Sequence, residues 1–133
     1  MNKAPEIRRL MAGVVVDDLE AAGGWYQAML GRPPDATPMG GLLEWHLASD
    51  AWLQVVDIAK VREIQHAAQW GSAGASSVSF VVAHLDDQLA AFAENGIAIV
   101  SQYTTGSSLK TATVRDPAGN FVTFVEDMHS YRE

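Results

Sequence analysis

The chain has 133 residues, 48% of them hydrophobic, a length and balance that suit one folded domain and exclude a disordered polypeptide. Its formal net charge is −7 with a sequence pI of about 4.9, so it lacks the basic surface that phosphate neutralisation requires and is not expected to bind nucleic acid. It has no cysteine, no apolar run near 18 residues and no apolar core in its first residues, which excludes disulfides, cysteine-based zinc sites and a transmembrane helix, and points to the cytoplasm with no membrane partner.

Arg9 to Val16 ends in β-branched residues and reads as a strand. Asp17 and Asp18 then offer a helix cap, Glu20 places negative charge in the first turn, and Leu19, Ala22, Tyr26, Met29 and Leu30 recur at helical spacing. Gly31 closes that helix and Pro33-Pro34 prevents its continuation. Asp35 to Gly41, rich in Pro and Gly, reads as loop. Leu42 to Ala48 and Ala51 to Asp57 read as strands joined by the short Ser49-Asp50 turn, hence as a hairpin. Ile58 to Trp70 is ambiguous, with Val61, Ile64 and Ala68 at the spacing of a helical connector. Gly71 to Ala75 reads as a flexible linker. Ser77 to Ala83 reads as a strand, and Asp86-Asp87 opens a second helix with Leu85, Leu89 and Phe92 on its apolar face, closing at Asn95-Gly96. Ile97 to Tyr103, Leu109 to Arg115 and Phe121 to Glu126 read as strands. Thr104 to Ser108 is a polar loop, and Asp116-Pro117-Ala118-Gly119-Asn120 has strong turn chemistry.

The two halves resemble each other. Val14-Val15-Val16-Asp17-Asp18-Leu19 and Phe80-Val81-Val82-Ala83-His84-Leu85 both run from a strand into a helix start, 66 positions apart. Each is followed by an Ala-rich stretch with aromatics and then a glycine, Gly31 or Gly96. A fixed internal period marks a duplicated structural unit, here strand-helix-strand-strand-strand, with the first post-helix strand of the first half poorly marked.

These features resemble the vicinal oxygen chelate superfamily, the group of glyoxalases, bleomycin-resistance proteins and ring-cleaving dioxygenases. Val16-Asp17-Asp18-Leu19, Trp25-Tyr26 and Leu30-Gly31 carry the likeness in the first half. Val82 to Leu85, Asn95-Gly96 and the Asp116 to Asn120 run before Phe121-Val122-Thr123-Phe124 carry it in the second. The resemblance implies an α+β fold of two tandem βαβββ modules, a curved eight-stranded mixed sheet around a cleft. The whole chain is then one glyoxalase-like domain, with module one at about 7–70 and module two at about 76–127. It also implies a homodimer.

Metal-using relatives take ligands from the first and last strands of each module. By spacing from the anchor motifs, those places fall on Met11 and Gln54 in the first module and Ser77 and Thr123 in the second. A thioether, an amide and two hydroxyls make a poor set for a divalent ion, and sliding the register by one residue brings in no better ligand. No metal and no other cofactor is therefore expected.

Strand alternation puts Met11, Gly13 and Val15 on one face, with Trp52, Gln54 and Val56; Ser77, Ser79 and Val81; and Phe121, Thr123 and Val125. The opposite faces are uniformly apolar, as helix-covered faces should be. The first set describes a largely apolar cleft with neutral polar groups, the profile of a small-molecule site. Met11, His46, Trp52, Gln54, Ser77, Tyr103, Phe121 and Thr123 are the candidate ligand-binding residues, with Trp52 and Phe121 as stacking surfaces. Trp52 reads equally as buried core, and the facing of Trp45, His46 and Tyr103 is left open.

Three functions compete. A metal-independent protein holding an aromatic or cationic, antibiotic-like molecule is the first. A lyase, isomerase or dioxygenase of the same superfamily is the second; it requires an atypical site, for which Glu44 and His46 on one strand face are the material, although a surface histidine is the simpler reading of His46. A partner-binding module with a filled cleft is the third. His84 is explained by capping or exposure, and His66 and His129 by solvation.

Overall fold

The computed structural model describes residues 4–61, 71–105 and 109–127. In chain order these form β1 (Leu10–Val16), α1 (Leu19–Leu30), β2 (Ala36–Met39), β3 (Leu42–Ala48), β4 (Ala51–Asp57), α2 (Ile58–Val61), β5 (Ser77–Val81), α3 (Leu85–Glu94), β6 (Ile99–Thr105), β7 (Leu109–Arg115) and β8 (Phe121–Asp127). The strands make two four-stranded mixed sheets, in the orders β1-β4-β3-β2 and β5-β8-β7-β6. In each, the first and last strands of the module pair in parallel and the remaining pairs are antiparallel. The architecture is thus the tandem βαβββ fold that the duplication implies. Val61 ends α2, and the rest of the connector, with His66, lies outside the described residues, as does His129.

Two helix starts repeat the duplication in chemistry. Asp18 caps α1, its side chain accepting from the Ala21 amide at 3.1 Å, and the buried Asp57 at the end of β4 accepts from the Leu19 amide at 3.2 Å. In the second module Glu126, near the end of β8, accepts from the Leu85 amide at 2.7 Å. The second helix therefore begins one residue before the Asp86-Asp87 pair, and His84 occupies its cap position without a side-chain bond. A carboxylate delivered by a distant strand leaves no local sequence signal.

The segment read as loop, Asp35 to Gly41, contains β2. Only four residues long, it is the edge strand of its sheet and carries a register shift between Ala36 and Met39. Pro38 is compatible with that place because an edge strand can leave one backbone nitrogen unpaired. The Gly71–Ala75 stretch is also more than a tether. The Gly74 amide donates to the Val15 carbonyl at 3.1 Å, and its φ of 83° is open to glycine with little strain.

One hydrophobic core runs through both modules. Tyr26 and Met29 of α1 pack with Trp45, Leu53 and Val55, and Phe92 of α3 packs edge-on to Phe124 at 5.1 Å between ring centroids. Trp45 is fully buried and donates its indole N–H to the Arg32 carbonyl at 3.0 Å, so it faces the core and not a cleft. The modules meet where β1 and β5 lie side by side, at a buried polar knot. The Asp116 carboxylate accepts from the Tyr26 hydroxyl at 2.8 Å and from the amides of Ala118, Gly119 and Asn120 at 2.9 Å each. Asn120 donates through Nδ2 to Asp116 and to the Val15 carbonyl, both at 2.8 Å, and accepts from the Ser76 amide at 2.7 Å. Burial, then the Asp116 charge and hydrogen bond, push the Tyr26 phenol far above its ordinary value, so Tyr26 remains a neutral donor. The motif that looked like a turn is the clasp between the modules.

Candidate functional site

Each sheet has one face turned to the core and one open face, set by alternation. On the first sheet the core side takes Ala12, Val14, Val16, Trp45, Leu53 and Val55. The ladder register then places Met11, Trp52, Gln54, Glu44 and His46 on the open face. One end of this face is closed by α2, with Leu42 and Val56 packed against Val61. Polar chemistry gathers at the other end. Glu44 is only 5% exposed, and its two oxygens meet His46 Nε2 at 2.9 Å and Gln54 Nε2 at 3.0 Å. Burial opposes its charge, but those hydrogen bonds and the nearby His46 and Arg9 outweigh burial and hold the carboxyl below its ordinary range. His46 is no simple surface histidine. Its ring stacks on Trp52 with centroids 3.5 Å apart and planes 14° from parallel. Arg9 places its guanidinium 3.6 Å from the same indole. Because β4 lies between β1 and β3, Arg9 and His46 reach Trp52 from opposite sides.

The second sheet repeats the plan without the carboxylate and imidazole. Its open face carries Ser77 and Ser79 of β5, Phe121 and Thr123 of β8, Thr113 and Arg115 of β7, and Tyr103 of β6. Phe121 pairs with Ser77 as Trp52 pairs with Met11. Thr113 and Thr123 share a hydrogen bond of 2.8 Å at the ladder position held by Glu44 and Gln54 in the first sheet. Arg115 sits across the ladder from Phe121, as His46 sits across from Trp52, with its guanidinium 4.7 Å from the phenyl centre. Phe121 is 40% exposed and Tyr103 61% exposed.

The eight sequence candidates thus divide into two sets of four. Met11, His46, Trp52 and Gln54 lie on one open face, and Ser77, Tyr103, Phe121 and Thr123 on the other. Among the described residues, no hydrogen bond or ring contact joins the two sets. An apolar cleft of about 490 Å³ is lined by Leu10 and Ala12 of β1, Phe80 of β5, Met29 and Phe124 among others, and of the eight only Trp52 reaches it. Arg9 and Arg115 escaped the sequence reading. Arg9 shares alternation parity with Met11, and the Asp116–Asn120 turn brings Arg115 opposite Phe121, but neither signal distinguishes a ring contact from a solvated arginine.

The model of the glyoxalase/bleomycin resistance protein/dioxygenase superfamily matches residues 8–124. The chain belongs to this superfamily. Among solved structures, a glyoxalase/bleomycin resistance protein from Catenulispora acidiphila is 28% identical, with a TM-score of 0.77 over 90% of this chain and 97% of that one. A lactoylglutathione lyase from Agrobacterium tumefaciens shares the fold at 20% identity and a TM-score of 0.74, covering 92% and 96%. An antibiotic-binding protein from a Streptomyces species does so at 20% identity and 0.69, covering 96% and 99%. No curated protein matches the chain.

Met11 and Gln54 stand one ladder step apart on neighbouring strands, and Ser77 and Thr123 repeat that offset. The donors themselves do not fit a divalent ion, being a thioether, hydroxyls and an amide that already donates to Glu44. Among the described residues no group of three or more His, Cys, Asp or Glu side chains is arranged to hold a metal ion.

Proposed function

We propose that this protein binds a planar aromatic small molecule on the open faces of its sheets, without a divalent metal. The observation that carries the reading is the pairing of weak donors at Met11, Gln54, Ser77 and Thr123 with an aromatic ring beside each pair, Trp52 and Phe121. A second copy of this chain is proposed to complete the site. Ile7, Leu10, Met11, Val81, Phe121 and Tyr103 are between 40% and 74% exposed, an amount of bare apolar surface that calls for a cover. Among the described residues no helix is long and apolar enough to cross a membrane, and a cytoplasmic location is part of the same proposal.

The test is a thermal-shift and tryptophan-quenching screen of planar aromatic compounds, antibiotics among them, beside a panel of Zn²⁺, Ni²⁺, Mn²⁺ and Fe²⁺. At a ligand concentration of about 100 times Kd, stabilisation by about 2.7 kcal/mol is expected, and none from the metals. One tightly held metal per chain, or silence across the screen, refutes the reading. Sedimentation should show a dimer.

A second reading has its own support. Glu44 is ionised and bonded to His46 Nε2, the arrangement that orients an imidazole for proton transfer. It predicts turnover of some substrate that His46→Gln abolishes; turnover that survives the substitution disposes of it.

A further inference from the structure

We propose that the ligand of these open faces is an aromatic anion, a ring bearing a carboxylate or an equivalent acidic group, held by Arg9 and Arg115. The inference rests on the binding role proposed above and names its ligand class. Each module presents one ring at the same ladder position, and each ring carries a guanidinium, Arg9 at 3.6 Å from Trp52 and Arg115 at 4.7 Å from Phe121. The two arginines come from unrelated places, one ahead of β1 and one at the end of β7, so duplication alone does not explain the recurrence.

Trp52 is covered by Arg9 on one side and His46 on the other, so an incoming ring meets a guanidinium before it meets the indole. A guanidinium held flat on an aromatic ring offers its second face for stacking and its edge N–H groups for a carboxylate. Among the described residues, the ionisable side chains in contact with the two rings, or with the side chains that touch them, are Arg9, His46, Glu44 and Arg115, while Asp35 accepts from the His46 amide at 2.6 Å and pairs with Arg32. Both carboxylates at the Trp52 end are committed, Glu44 to His46 and Gln54, and Asp35 to the His46 amide and Arg32. Thr113 and Thr123 stand where a second such carboxylate and its partner would be, and they share one hydrogen bond with each other. The net charge of −7 favours a cation at long range. Screening within about 8 Å at physiological ionic strength leaves the choice to the groups in contact, which favour an anion.

Three probes with one ring system decide the matter: 2-naphthoate, 2-naphthylmethanol and 2-naphthylmethylammonium, titrated by calorimetry and tryptophan fluorescence. The expected result is naphthoate binding at least about tenfold tighter than the ammonium compound. Arg9→Gln and Arg115→Gln should each weaken naphthoate by about tenfold and the alcohol, which loses only the stacking face, by clearly less, so that the preference for naphthoate over the alcohol shrinks at least about threefold, with Arg115→Lys intermediate because it keeps charge and loses the flat contact. Alcohol or ammonium binding as tight as naphthoate overturns the anion assignment while the small-molecule function stands. Naphthoate affinity unchanged in both Arg→Gln variants overturns it too. Failure of all three probes to bind overturns the assignment together with the function it rests on.

Discussion

Truncating Asn120 to alanine tests whether the Asp116–Asn120 motif clasps the modules. The side chain is fully buried and makes three hydrogen bonds, to Val15, Asp116 and Ser76. After truncation the Val15 carbonyl keeps the Gly74 amide, and Asp116 keeps Tyr26 and three backbone amides. The Ser76 amide loses its Asn120 acceptor. One neutral bond, one charge-assisted bond and one amide deprived of its acceptor together amount to about 3 to 4 kcal/mol. That is a large share of the roughly 5–15 kcal/mol a domain has. Urea unfolding followed by tryptophan fluorescence at pH 7 reads the loss. Asn120→Asp sharpens the test at nearly constant shape, because it puts a second carboxylate where Nδ2 lies 2.8 Å from Asp116. It should be worse than alanine where both carboxylates are ionised and recover part of the loss as pH falls and one shared proton restores a donor. A loss under about 1 kcal/mol for Asn120→Ala, or a pH-independent Asn120→Asp, refutes the clasp.

Gly74→Ala should destabilise by about 2 to 4 kcal/mol by the same measurement, because φ is 83° and the new Cβ would meet the Ala118 carbonyl oxygen; a change below about 1 kcal/mol would show that the join adapts freely. Glu44 titrates lower in the folded chain than its ordinary value of 4.5, so its contribution is complete above about pH 4.5 and is lost as pH falls through the lower folded value. Glu44→Gln should therefore flatten the acid limb of a stability-against-pH curve, and an unchanged limb would contradict the hydrogen-bonded carboxylate.

Much of the fold follows from local chemistry. The valines of β1, the Asp18 cap, the Gly31 stop and the 66-residue repeat need no distant partner, so the two modules and the inward and outward faces of β1, β4, β5 and β8 were legible. Alternation also put Met11 and Gln54 on one face and Ser77 and Thr123 on another, whereas their choice as the places where relatives hold a metal came from the family resemblance.

What the sequence by itself determined, then, is the duplicated architecture, the sidedness of its strands and the chemical type of the residues that occupy them. Tertiary structure decided the rest, because it depends on pairing across long stretches of chain. Strand β2 exists because β3 offers it a ladder, against a loop-like composition. The cap of α3 comes from Glu126, 41 residues away. His46 becomes a partner of Glu44 and Trp52 only when β3 and β4 pair in one register, and Arg9 becomes a lid on that ring only when β1 joins beside β4. Periodicity says which way a side chain points, and only the packed register says what it meets there.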